Sequence, residues 1–498
     1  MRSGRSRTQQ KAQQKRRLIE PPLGGQYRPL SSSEAHNIIE TAFAILEQIG
    51  MADTPEPYRT KLLETGKAHE KNERLCFSKS ALEDAVSRAA NQVVLPGFDE
   101  DKAIEVGGGK VHIGTGGAAV QILLSEEGSY RESRLNDLFD LMRLVDVSEA
   151  IHYGLRPVVA CDMATPYDLD INTAFACLKA TTKPIGVSFS EPQHLAKSVE
   201  MFDAALGEKS FNQQPFCFGV IVHVVPPLRY APEGSAVMLE AMKHGMPLQI
   251  CSAGQAGATS PASLAGALAQ GLAESLAGLM LVDAIQPGYP CIFAFMPFIS
   301  DLRTGAMSGG SGESALANAA AAQLLLRLGL PSTVSAGMTD AKLPDAQAGF
   351  EKGYTVSMAA QAGADMINLS VGMLGSIMIA SREALVIDNE MCSAILRSVK
   401  GIEVNSERLD LDIIEKVVRG EGHYLGEDQT LDLMKTEYVY PNLSDRKGLE
   451  DWQTEGSLTI WDRAKVRVKE ILAEPCASHL PIDIEQRIRQ KMPIKLGE

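Results

Sequence analysis

Between Val111 and Met378 the hydrophobic and polar positions repeat one pattern eight times: a short apolar run, a cluster of glycine and polar residues, then a longer stretch of helical periodicity. KVHIGTGG leads to SRLNDLFDLMRLVDV, HYGLRPVVACD to INTAFACLKATT, PIGVSFSE to HLAKSVEMFDAALG, and FCFGVIVHVVPP to GSAVMLEAMKHG. PLQICSAGQ leads to ASLAGALAQGLAESLAGLMLVDAI, PCIFAFMPF to GESALANAAAAQLLLRLG, STVSAGMTD to QAGFEKGYTVSMAAQAG, and DMINLSVGM to REALVIDNEMCSAILRSV. Strands apolar on both faces and separated by helices require a parallel sheet covered all round, and right-handed crossovers make closure natural. The pattern predicts an α/β fold, a (β/α)8 TIM barrel over residues 106–400; eight consecutive units favour it over an open doubly wound sheet.

The flanks read differently. Residues 29–105 predict an N-terminal helical segment, from LSSSEAHNIIETAFAILEQIGM with its capping serines to SKSALEDAVSRAANQV, with a small hairpin possible just before the first barrel strand. GGGK at Gly107–Lys110 precedes a strand and reads as a turn. Residues 401–498 predict a C-terminal helical extension that wraps the barrel, with DLDIIEKVVRG and GSLTIWDRAKVRVKEILAE as helices. The Ala-, Leu- and Gly-rich helices of units five and six are the expected contact between copies in a homo-oligomer.

Charge narrows the partners. With 48 Lys+Arg against 62 Asp+Glu the net charge is −14, which argues against nucleic acid because phosphate binding needs clustered cations. The basic start, MRSGRSRTQQKAQQKRR, forms no apolar face, so residues 1–28 are expected to be a disordered tail. No apolar run is read as reaching the roughly 18 residues of a membrane span, and no export signal is recognised, so a cytoplasmic protein is expected. The eight cysteines are scattered singly, and Cys217, Cys251 and Cys291 fall inside apolar runs, which points to reduced core thiols.

Barrel enzymes keep their chemistry on the loops that follow the strands. Those loops contain Gly116, Gly117, Asp162, Ser190, Glu191, His223, Ser252, Gln255, Phe298, Asp301, Arg303, Asp340, Lys342, Asp345, Gln347 and Met373. Each has a structural alternative: His223 sits in an apolar strand, Asp301 and Arg303 can pair with each other, and the charges of TDAKLPDAQAGFEK can cap a helix. Nothing has zinc-ligand spacing, and no nucleophile elbow, Walker loop or dinucleotide fingerprint appears, so no metal site is expected.

The loop wording goes beyond a generic barrel. HIGTGGAAVQILLSEEGSYRESRLNDL, ISDLRTGAMSGGSGESALANAAAAQLLLRLGLPS, GMTDAKLPDAQAGFEKGYT and NLSVGMLGS together resemble the trimethylamine:corrinoid methyltransferase family, over about residues 25–495. The resemblance implies a barrel that moves a methyl group from a methylated amine to Co(I) of a separate corrinoid protein, with no tightly bound cofactor of its own. Members that use trimethylamine carry pyrrolysine, whereas every residue here is one of the ordinary twenty. The relatives without it include enzymes that demethylate quaternary amines such as glycine betaine. That division is chemical: a quaternary ammonium leaves as a neutral tertiary amine, so its displacement needs alignment and exclusion of water rather than a proton donor.

A betaine site wants an aromatic or acidic cradle for the cation and a partner for the carboxylate. Phe189, Phe295 and Phe298 are candidates for the aromatic cradle, and Asp340, Asp345 and Glu351 for the balancing charge as catalytic residues. Arg303 and His223 are candidates for the carboxylate, with Gln347 in support. Gly116, Gly117 and Gly372 are assigned to the approach of the corrinoid. The competing readings are trimethylamine-type demethylation, a Schiff-base lyase using Lys342 or Lys183, and a barrel that binds amine or corrinoid protein without catalysis.

Overall fold

The computed structural model describes residues 21–497 except 208, 370, 477 and 478. Most of the expected tail, residues 1–20, lies outside the described residues. Its last part does not hang free: Leu23 bridges Lys110, and the Gly25 and Tyr27 amides donate to the Gln361 carbonyl at 2.8 and 3.0 Å.

Eight parallel strands form one sheet: β1 (His112–Ile113), β2 (Gly154–Leu155), β3 (Ile185–Val187), β4 (Cys217–Val222), β5 (Leu248–Ser252), β6 (Cys291–Phe295), β7 (Ser332–Ser335) and β8 (Met366–Asn368). Each pairs with the next in chain order, and β8 pairs with β1. A parallel bridge between Gly114 and Tyr153, with the His152 amide donating to the Ile113 carbonyl at 2.8 Å, joins β1 to β2 and closes the ring. Around it run α1 (Leu135–Val147), α2 (Pro166–Ala180), α3 (Pro192–Leu206), α4 (Pro232–Lys243), α5 (Leu264–Ile285), α6 (Gly312–Arg327), α7 (Ala346–Gln361) and α8 (Arg382–Val399). The barrel read from the repeating pattern is the fold observed.

Local chemistry starts these helices where the loops need them. Thr165, Ser311, Asp345 and Ser381 accept from the amides of Asp168, Ser314, Ala348 and Ala384 at 3.1–3.2 Å. Pro166, Pro192 and Pro232 occupy first-turn positions, where the missing N–H costs nothing.

Helix α5 corrects two expectations. Its 22 residues are long and apolar enough, by length and composition, to cross a membrane, so the chain does contain such a run. The helix is apolar all round because it is covered on all sides within the fold. The barrel wall lies on one side, and the chain's own N-terminal helices Ser32–Gln48, Tyr58–Glu64 and Lys79–Arg88 lie on the other. Asp283 near its end accepts from Lys67 at 2.7 Å and from Arg88 at 2.9 Å. On α6, Gln323 exchanges hydrogen bonds with the Leu30 backbone at 3.0 and 2.7 Å. The surface expected to join copies is thus occupied by the same chain.

The N-terminal segment is not purely helical. It adds the hairpins Ala68–Lys71/Arg74–Phe77 and Val93–Leu95/Ile104–Val106. The second hairpin plugs the N-terminal end of the barrel: Val93, Leu95, Ile104 and Val106 pack with Tyr153, Phe218, Ile292 and Met366. At the other flank, helix Ile460–Ala473 lies on α8 and α1, and helix Ile482–Lys491 lies on α3.

The plugged end buries uncharged histidines. His112 Nε2 lies 2.9 Å from the Glu105 carbonyl, and its ring centroid is 5.3 Å from that of His152. Burial pushes His112 down from 6.5 to about 4 and holds His152 low as well. The unfolded chain therefore binds the His112 proton first as pH falls, and the stability it lends at neutral pH is lost between about 6.5 and 4. The stability difference between the protein and His112→Gln, measured by urea unfolding, is expected to shrink across that window by about 3 kcal/mol; a difference independent of pH contradicts a buried neutral His112.

Candidate active site

Neighbouring barrel strands are offset by about one residue, so inward side chains stack in layers drawn from alternate strands. The paired series Met366, Thr333, Ala294, Cys251, Val222 runs from the plugged end, where Met366 is buried, to the open end, where Val222 is 59% exposed. That climb fixes the layers. The lowest is Tyr153, Phe218, Ile292 and Met366, the side chains that meet the hairpin plug. Next come Gly114, Gly186, Gln249 and Thr333; above them Leu155, Val220, Ala294 and Asn368; then Gly116, Ser188, Cys251 and Ser335 near the mouth.

This stack leaves a pit at the C-terminal end. Val220, two layers below the mouth, is still partly exposed, and Ser188, Ala253 and Met296 are half-buried at the rim. Tyr153 and Phe218 fill the room that two glycines leave: a Cβ on Gly114 would sit 2.2 Å from the Tyr153 ring, and one on Gly186 would sit 2.9 Å from Phe218. The Tyr153 hydroxyl reaches up and donates to Asn368 Oδ1 at 2.6 Å. No Asp, Glu, Lys, Arg or His occupies these layers. Gln249 and Thr333 are fully buried, at 0% exposure, and both keep an unpartnered oxygen among the described residues; the Gln249 amide nitrogen has only the Cys251 sulfur, at 4.0 Å. Burial raises the Cys251 thiol to about 12, so it stays protonated.

Beside the pit, a cleft of about 550 Å³ lies between the loops after β6, β7 and β8, lined by Asp301, Met307, Asp340, Lys342, Ser376 and Met378 among others. Asp340 holds it together. Its carboxylate accepts from Ser308 Oγ at 3.2 Å, from the Gly309 amide at 3.0 Å and from Ser376 Oγ. Its own amide donates to Glu351 Oε2 at 2.9 Å. Glu351, buried on α7, also accepts from Thr339 Oγ1 at 2.5 Å and Gln347 Nε2 at 2.9 Å. Below this network the buried Lys352–Asp388 pair, at 2.5 Å, ties α7 to α8, and the Gly372 amide donates to Asp388 at 2.8 Å. Burial raises the Asp388 carboxyl against the pull of Lys352.

The residues singled out by sequence are mostly spent on the scaffold. His223 turns away from the pit: Nε2 lies 2.9 Å from the Glu274 carbonyl on α5, and a Cβ on Gly278 would strike its ring. Burial lowers it to about 4, so it is neutral and cannot clamp a carboxylate by charge. Phe295 also faces α5, filling the space beside Gly271, and Phe189 packs on the outer core. Phe298, paired with Gln255, is the one of the three left near the rim. Arg303 is 88% exposed and bound to Asp301 at 2.6 Å, an interaction that holds Asp301 down to about 2. Asp345 is the cap of α7, and Gln347 is engaged by Glu351.

The glycines serve close approach within the chain. Cβ atoms on Gly116 and Gly117 would meet Leu369 at 3.1 Å and Met373 at 2.5 Å, and Gly372 has φ +75°. Lys183 lies at the plugged end with three carbonyl acceptors at 2.6–2.7 Å, far from any chemistry at the mouth. Lys342 is exposed and binds the Asp340 carbonyl at 2.5 Å. Neither lysine enters the pit, which removes the geometric basis of a Schiff-base reading. Sequence reasoning missed Gln249 and Thr333; the available signal was a polar residue at an inward parity within PLQICS and within STVSAG.

The family model described as "Trimethylamine methyltransferase (MTTB)" matches residues 1–494. Glycine betaine methyltransferase of Desulfitobacterium hafniense (strain Y51) is 29% identical over 468 residues, 93% of this chain and 96% of that protein. Trimethylamine methyltransferase MttB of Methanosarcina thermophila is 32% identical over 412 residues, 80% and 83% of the two chains. The crystal structure of the hydroxylamine complex of MtmB superposes with a TM-score of 0.52 at 10% identity, covering 89% of this chain and 88% of that one, which supports the shared fold.

The loop network predicts unequal costs. Asp340→Ala strands donors from two loops and is expected to lower unfolding free energy by about 1–3 kcal/mol, whereas Arg303→Ala, which frees an exposed pair, is expected to leave it nearly unchanged. Chemical denaturation of both variants checks this, and equal losses contradict the assignment of Asp340 as the loop tie.

Proposed function

Because this chain belongs to the trimethylamine methyltransferase family and is a methyltransferase, we propose that its methyl donor is a quaternary amine such as glycine betaine and that the acceptor is a corrinoid carried by a separate protein. The observation that carries this reading is the uncharged pit. Demethylating a neutral tertiary amine would expel an amide anion, a poor leaving group, and so calls for a proton donor or covalent activation, whereas the inward layers supply no acid and no amine nucleophile. A quaternary ammonium already carries its charge and releases a neutral tertiary amine as its C–N bond breaks, so it needs only to be held in line and kept dry.

The residues present fit that task. Small side chains at Ser188 and Cys251 leave the upper pit open, while Leu155, Val220 and Ala294 offer an apolar wall to the N-methyl groups. The corrin macrocycle is too broad to descend between eight strands, so the pit suits a corrinoid that meets the mouth from outside. When docked, that group supplies the reduced cobalt that accepts the methyl. The protein's own residues seat the amine, fix its direction and exclude water below the mouth. The reaction is expected in the cytoplasm, where a reduced corrinoid and reduced thiols coexist.

Incubation with a reduced corrinoid protein and glycine betaine is expected to release dimethylglycine in step with loss of the reduced corrinoid's absorbance, with trimethylamine giving far less turnover. Turnover of trimethylamine alone, or of no methylated amine in a screen of quaternary compounds, contradicts the reading.

A further inference from the structure

Resting on that reading of the donor, we infer that Gln249 and Thr333 form the subsite for the donor's polar tail, a carboxylate or an equivalent hydrogen-bond acceptor held at the floor of the barrel. Both residues belong to one layer, on β5 and β7, with β6 between them. The other two members of that layer are glycines whose space is already filled by Tyr153, Leu155 and Phe218. Polar contact at this depth therefore comes from the β5 and β7 side, beneath the small side chain of Ala294.

Both floor residues keep a polar atom without a partner at full burial. Such atoms are costly unless something binds them. Of the eleven among the described residues, Gln249 Oε1 and Thr333 Oγ1 share one barrel layer beneath the pit, and that pairing marks a place built for an absent partner. The chemistry of the two groups names the class. The Thr333 hydroxyl can donate. The unpartnered Gln249 atom is the acceptor Oε1, and a half-turn of that amide gives the oxygen to the protonated Cys251 thiol and presents the NH2 to the partner. Both residues can thus donate, and neither brings a negative charge that would repel an anion. Asn368, one layer up, is already engaged by Tyr153.

Direction follows from access. The methyl to be transferred has to face the mouth, because the acceptor cannot enter the barrel. The opposite end of the donor then points to the floor, where Gln249 and Thr333 wait, with the cationic end between Val220 and Val222. A donor with an acceptor group a short carbon chain away from its nitrogen spans the two; a bare tetraalkylammonium does not reach the floor groups with anything they can bind. Specificity thus resides in neutral hydrogen bonds at depth and not in Arg303 or His223.

Calorimetric titration of the full chain with glycine betaine and with tetramethylammonium tests this. Thr333→Val and Gln249→Met are each expected to weaken betaine binding by about tenfold or more while leaving tetramethylammonium binding within about threefold, and Thr333→Ser, which keeps the hydroxyl, is expected to stay near the parent for both. Unchanged betaine affinity in both Thr333→Val and Gln249→Met overturns the subsite and leaves water as the floor's partner. Equal weakening of both ligands also overturns it, since a reshaped cavity and not a lost hydrogen bond would be responsible. A parent protein that binds no quaternary amine sinks the donor reading itself, and the subsite with it.

Discussion

The closed parallel ladder is the constraint on which everything else rests. Eight short strands, each offset from its neighbour by about one residue, satisfy one another's backbone groups and leave no edge, and the same offset decides which side chains share a level. With Tyr153, Phe218, Ile292 and Met366 locked against the hairpin plug, the levels above have no choice but to open toward the other end. The small residues Ala294, Ser188 and Cys251 at the upper levels leave a pit above a packed floor, where Tyr153, Leu155 and Phe218 fill the space beside Gly114 and Gly186. Its neutrality is a consequence of position: a charged side chain facing the axis would be desolvated without a partner.

Charge is concentrated instead where it holds loops and helices. Asp340, Glu351 and the Lys352–Asp388 pair tie the ends of β6, β7 and β8 to α7 and α8. Breaking a buried pair of this kind by removing one partner is costly because it strands the other charge. The function of this network is to keep the cleft walls and the mouth in register, so that a bound molecule meets a fixed rim. The long apolar helix α5 plays the matching part on the outside, pinned between the barrel wall and the N-terminal helices. Its hydrophobicity is paid by partners within the chain.

Much of the fold was legible in the sequence because the alternation of apolar runs and helical periodicity is local: each of the eight units can be read without knowing the others. The family too was legible, from loop wording such as SDLRTGAMSGGSGES and TDAKLPDAQAGFEKG. The site was far less so. Charged and aromatic residues near strand ends drew attention, yet Arg303 spends its charge on Asp301, Asp345 caps a helix, and His223 and Phe295 face α5. Parity along a single strand does not say which face is the axis, and level depends on the offset between strands, which is a property of the whole ring. Gln249 and Thr333 sit inside short apolar runs and carry no charge, so their depth and loneliness appear only in three dimensions.

A crystal structure with glycine betaine diffused into the protein tests the central claim most directly. The account predicts ligand density on the barrel axis, with the carboxylate within hydrogen-bond distance of Thr333 Oγ1 and Gln249 Nε2 and the methyl groups toward Val222. Density confined to the cleft between Asp301 and Met378, with water alone on the barrel floor, would contradict it.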